Sequence, residues 1–215
     1  YADIDGFDPS KYNLKDCKLS LMDKWILSKL NTLIKETDEM LSEYKIFESA
    51  RNLQNFVDEL SNWYVRRGRE RYWGKEMTED KIAAYMTLYT VLVTLSKLTA
   101  PYTPFMAETI YQNLVPNFYK DAPKSVHLDT FPVADESYVD KALEKGMEEV
   151  LDIVVLGRSA RNSSNIKNRQ PLKKVFVCSE RAEKLSAGLA DIAKDELNVK
   201  EIEYMTESAE FVSYI

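Results

Sequence analysis

NWYVRRGRERYWG, residues 62–74, places four arginines and two tryptophans in thirteen positions of a chain whose net charge is −6. On a helical wheel of about 100° per residue, Asn62, Arg66, Arg69 and Trp73 share one narrow arc, and Arg51 and Asn55 fall within it. Leu53, Val57, Leu60 and Tyr64 cluster on the opposite side. The spacing predicts one helix over about 46–73, with an apolar stripe facing a core and an Asn/Arg/Trp row facing outward. Arg67 and Arg71 lie on the apolar side where the stripe has run out. They are expected to project past neighbouring helices or to contact another domain.

An outward row of guanidiniums ending in an indole suits nucleic acid. Arginine pairs phosphate in a bidentate fork, and the aromatic ring offers a face to an unstacked base. The plain alternative is that Trp63, Tyr64, Tyr72 and Trp73 are core and rim aromatics with arginines laid around them.

Working outward, the other segments also read as helices. Trp25, Ile26, Leu30, Leu33 and Ile34 repeat at helical spacing over about 21–44. Thr78 is an expected N-cap, with Glu79 and Asp80 in the first turn of a helix running to about Thr99. That helix is apolar on most sides and should sit centrally. Pro104 restarts a helix to Leu114 after Thr103. SVHL (125–128) reads as a short strand inside a crossover, and a fifth helix is expected over about 137–164. After NRQPL the period changes: LKKVFVC and VKEIEYM alternate as strands around helical 180–197, and FVSYI could add a third. The expected fold is mainly α: a lead-in over 1–20, an antiparallel helical bundle over 21–170, and a small α/β appendage over 171–215.

Charge is segregated along the chain. Residues 61–75 carry +4 and residues 155–175 carry +6 with no acid, whereas the flanking segments are acidic. Two basic islands can grip a polyanion locally while the remainder resists it. In the second island, RSARNSSNIKNRQPL, Arg158, Arg161, Lys167 and Arg169 surround Asn and Ser positions suited to sugar–phosphate contacts. A polar hinge is the alternative there.

Reaction chemistry finds little support. His127 is the only histidine, which disfavours Ser-His-Asp, Cys-His and multi-histidine metal sites. The six glycines form no phosphate-cradling loop, and Cys17 and Cys178 form no CxxC pair. The longest uncharged run, 83–96, falls short of the roughly 20 apolar residues of a membrane helix. A cytoplasmic, non-catalytic binding piece, monomeric and without a membrane partner, is the expectation. The first residue is Tyr1 and the last residues are FVSYI, so a fragment of a longer protein is expected.

LSNWYVRRGRERYW closely resembles the second bundle helix of isoleucyl-tRNA synthetases. LTAPYTPFMAETIYQNL is similar to the Pro-broken helix pair in the anticodon-binding domains of the isoleucyl, valyl, leucyl and methionyl enzymes. SVHLDTFP, ARNSSNIKNRQPL and YADIDGFDP resemble neighbouring segments, so the likeness covers about 1–178. Gly68 and Glu70 depart from it, standing where serine and another arginine are expected. The resemblance implies an anticodon stem-loop recognition domain whose partners are tRNA and the parent's own catalytic domain. The dense arginine run favours the isoleucyl member over the valyl and leucyl ones. A helical protein-interaction module is the reading from another class. The family's HIGH and KMSKS motifs do not occur in these 215 residues. ATP with magnesium, isoleucine, the editing site and any zinc would therefore belong to other parts of the parent. The RNA-contact candidates are Arg51, Asn62, Arg66, Arg69, Trp73, Arg158, Arg161, Lys167 and Arg169, with Arg67 and Arg71 as interdomain candidates.

Overall fold

The computed structural model describes residues 1–178 and 185–205. The chain divides into two compact units, Tyr1–Asp140 and Lys141–Ile215. It is mainly α, with a small α/β element in the second unit. FVSYI lies outside the described residues, as does the start of the 180–197 segment.

In the first unit, α1 (Leu21–Ser42) opens on a reciprocal cap. Ser20 Oγ accepts the Asp23 amide at 3.2 Å, and Asp23 Oδ2 accepts the Ser20 amide at 2.8 Å. Its expected stripe of Trp25, Ile26, Leu30, Leu33 and Ile34 is buried. α2 (Ile46–Glu59) returns alongside it, held by a Lys29–Glu59 ion pair of 3.2 Å.

The single helix expected over 46–73 is interrupted. A π-helical stretch, Leu60–Val65, follows α2, in which the Arg66 amide reaches back five residues to Ser61 O. A short α3 (Arg69–Trp73) then completes the segment. The wider turn takes up about one extra residue, so everything after it rotates by roughly 100° from a uniform wheel. That rotation buries Tyr72, which the uniform wheel leaves off the core. Upstream, Phe56 fills the core position expected of Val57, which is 44% exposed. Gly68 permits the close turn, because a Cβ there would meet Tyr64 O at 3.0 Å.

α4 (Glu79–Thr99) begins at Thr78 as expected, with Thr78 Oγ1 accepting the Lys81 amide at 3.2 Å. By length and composition this helix could cross a membrane. Its Ala83, Ala84, Val91 and Leu98 are, however, fully buried, and it packs on α1 and α5, which makes it the core helix of this unit. α5 (Pro104–Leu114) starts on Pro104. SVHL is not a strand: Val126–Leu128 is a 3₁₀ turn capped by Ser125, and Glu108 Oε2 accepts both the Ser125 hydroxyl and the Val126 amide.

In the second unit, α6 (Lys141–Ser163) packs on α7 (Ala187–Leu197). β1 (Leu172–Cys178) and β2 (Val199–Met205) pair in parallel, Leu172 opposite Val199 and Cys178 opposite Met205, with α7 in the crossover between them. A Cβ at Gly157 would come within 2.6 Å of Leu197, a buried side chain, so glycine sets how closely α6 and α7 approach.

Candidate nucleic-acid interface

The first basic island is built around a buried acid. Asp23 is wholly buried and receives both terminal nitrogens of Arg71 at 2.8 Å and the Tyr64 hydroxyl at 2.6 Å. Burial by itself would push its carboxyl up. The Arg71 guanidinium, then the Tyr64 hydroxyl and the Ser20 partner, hold it below the usual carboxylate range. Arg71 also donates from Nε to Asp80 Oδ2 at 2.8 Å and from a terminal nitrogen to Asp80 O at 3.0 Å. Its charge is therefore taken up inside the unit. The expected interdomain role for Arg71 gives way to an internal one, because Asp23, 48 positions away, and the nearer Asp80 converge on it. Arg67 is half-buried and is engaged as well.

A second buried cation lies beside this network. Lys81 contacts Asp5 at 2.5 Å and donates to Gly74 O at 2.6 Å. Tyr85 donates to the same Asp5 at 2.5 Å. These bonds, with Phe7 against Tyr12 and Tyr85, lock the lead-in onto the bundle.

With Arg71 held inward, the remaining row faces solvent. Asn62, Arg66, Arg69 and Trp73 are all exposed, Trp73 by 54%. The Arg66 guanidinium lies 5.8 Å from the Trp63 ring and donates to Asn62 O at 2.7 Å. The Arg69 guanidinium lies 5.6 Å from the Trp73 ring. These cation–π pairs hold charge and ring together as one surface. Val65, Arg69, Tyr72 and Trp73 also line a mostly apolar cleft of about 610 Å³ shared with Tyr85 and Phe118. Arg51 is exposed too, but it lies on α2 fifteen positions before Arg66 and stacks on Phe47 at 5.8 Å, apart from the row.

The second island disperses. Arg161 is only 4% exposed, and its terminal nitrogens donate to four backbone carbonyls. These are Lys167 O at 3.1 Å, Gln170 O at 3.0 Å, Leu197 O at 2.6 Å and Asn198 O at 3.3 Å. Arg161 cannot reach a phosphate from there; it pins the end of α6 to the loops around the sheet. Arg158 is half-buried and paired with Glu196. Lys167 and Arg169 remain exposed. No residue type in the 155–175 run signals the burial of Arg161, since its partners are main-chain oxygens.

Residues 23–177 match the family described as the anticodon-binding domain of tRNA ligase. The chain belongs to that family. Along its full length it is 54% identical to the isoleucine–tRNA ligase of Clostridium novyi (strain NT) and 41% identical to that of Bacillus thuringiensis (strain Al Hakam). Over 202 residues, 93% of this chain, it is 47% identical to the isoleucine–tRNA ligase of Dehalococcoides mccartyi (strain CBDB1). In each case the chain spans 20% of the relative's length.

Proposed function

We propose that this chain is the tRNA-recognition part of an isoleucine–tRNA ligase, acting in the cytoplasm without a catalytic site of its own. The parent would join L-isoleucine to its tRNA using ATP with magnesium, at sites outside these residues, as would be any zinc the parent carries. The observation that carries the reading is the exposed Arg66–Arg69–Trp73 row on a unit that matches the anticodon-binding family. Exposed guanidiniums there suit phosphate, and the exposed indole suits a splayed base. Lys167 and Arg169 add a lesser set of backbone contacts from the second unit.

The test is equilibrium binding of this chain to an isoleucine tRNA transcript across a salt series. The logarithm of affinity should fall linearly with the logarithm of salt, as phosphate neutralisation requires. In the full-length parent, Arg66→Ala with Arg69→Ala should raise the KM for tRNA and leave isoleucine-dependent ATP–pyrophosphate exchange nearly unchanged. A salt-independent affinity, or loss of exchange with tRNA affinity intact, would move the row to a protein–protein role.

A further inference from the structure

The short helix that carries Arg69 and Trp73 cannot hold its own place. α3 has five residues, far below the roughly 12–15 that an isolated helix needs. It runs out at Gly74 into a mostly exposed loop that ends at Thr78, the cap of α4. One residue closes that loop at both ends. The Lys81 amide donates to Thr78 Oγ1 at 3.2 Å, and the Lys81 ammonium donates to Gly74 O at 2.6 Å.

The same ammonium reaches the lead-in. It lies 2.5 Å from Asp5 Oδ2 and 5.6 Å from the centre of the Tyr85 ring, and Lys81 is only 2% exposed. Asp5 is presented on a closed turn. Its amide donates to Tyr1 O and the Phe7 amide to Ala2 O, both at 2.9 Å, while Gly6 takes the left-handed φ of 65° between them. Phe7 and Tyr72 each pack on Tyr85, so the lead-in and α3 share one aromatic cluster. Ala2 and Phe7 also line the same cleft as Arg69 and Trp73.

A buried ion pair stabilises a fold little more than apolar side chains of similar volume would. What Lys81 adds beyond a methionine of similar length is a bond to each of two segments that α4 would otherwise leave unconnected. We propose that Lys81 is a positioning residue for tRNA contact: by joining Asp5 of the lead-in to Gly74 at the end of α3, it sets where Arg69 and Trp73 are presented. Lys81 is enclosed and touches no RNA itself; it acts through the α3 turn. The proposal rests on the tRNA reading above and extends it to a residue behind the exposed row.

The experiment uses this chain with Lys81→Met and Asp5→Asn together, which removes both charges so that neither is left buried alone. The melting temperature should stay within about 4 °C of wild type. Affinity for an isoleucine tRNA should nevertheless fall roughly two- to 30-fold, the range for residues that act on a site without touching its ligand. In the free chain the indole ¹⁵N–¹H signal of Trp73 should shift or broaden, and that of Trp25, buried in α1, should not. In a background of Arg69→Ala with Trp73→Ala, the same pair should change tRNA affinity by less than about twofold. Lys81→Met alone leaves Asp5 its Tyr85 hydroxyl and should give the same results, so the test survives if the pair fails to fold. In a folded variant, an unchanged tRNA affinity or an unchanged Trp73 signal would overturn the proposal. So would an affinity loss of equal size in the background lacking Arg69 and Trp73. If the wild-type chain bound no tRNA, the tRNA reading would fail, and the Trp73 signal alone would decide whether Lys81 sets the α3 turn.

Discussion

The two basic islands are alike in composition and differ in what surrounds them. In 62–74 one arginine, Arg71, turns inward onto Asp23 and Asp80, and Arg66, Arg69 and Trp73 are left as an outward surface. In 155–175 Arg161 is enclosed by carbonyls, Arg158 is paired with Glu196 and Lys174 with Glu201 and Glu203, so Lys167, Arg169 and Lys173 are left facing out. An arginine in a basic run is thus not yet a phosphate ligand. Its fate depends on which acids and carbonyls the fold brings to it, and a buried guanidinium must find all of them.

The sharpest way to break this contrast is Arg161→Met. It leaves four carbonyls without this donor, that of Leu197 buried and the other three partly so, and the second unit should lose roughly 3–5 kcal/mol. Urea unfolding followed by hydrogen exchange at β1 and β2 would show it. A variant of native stability with weakened tRNA binding would instead make Arg161 an RNA contact.

Asp23→Asn should cost the first unit roughly 2–3 kcal/mol, since a neutral amide cannot receive the Arg71 fork as a carboxylate does. The pH dependence fixes the sign. Because the folded Asp23 carboxyl is held below its unfolded value of about 4, its contribution is fully present above that pH. It is lost as pH falls through the folded value. Acid unfolding should therefore be steeper in the wild type than in Asp23→Asn.

Trp73→Ala should weaken tRNA binding by about 1–3 kcal/mol, and Trp73→Phe should restore most of it. An indole more than half in solvent should leave thermal stability within about 0.5 kcal/mol of wild type. A large stability loss would identify Trp73 as a core residue. The smallest effect is expected of Lys167→Ala with Arg169→Ala: under about 1 kcal/mol in affinity, with the salt slope lowered by about 2 if both touch phosphate.

Much of this was legible in the chain. Apolar spacing located α1, α4 and α5, Thr78 and Pro104 marked two helix starts, and the alternation of LKKVFVC and VKEIEYM located the two strands. The wheel placed Asn62, Arg66, Arg69 and Trp73 outward, and they are exposed. It also placed Val57 inward and left Tyr72 off the core, because a constant 100° step has no room for a π-helical turn. Reading SVHL as a strand failed for a related reason. Four residues carry too little periodicity to separate a strand from a 3₁₀ turn whose first residue, Ser125, is the cap.

Local rules therefore determined where the helices and strands run and which residues are rich in charge and aromatic surface, since propensity, capping and periodicity act between residues a few positions apart. Tertiary structure alone decided which of those charges remain available. Asp23 and Arg71, or Arg161 and the Leu197 carbonyl, are separated by dozens of positions in the chain and by 2.6–2.8 Å in the fold. Whether a guanidinium faces solvent or closes a buried network is settled by that convergence, on which one-dimensional charge patterning is silent.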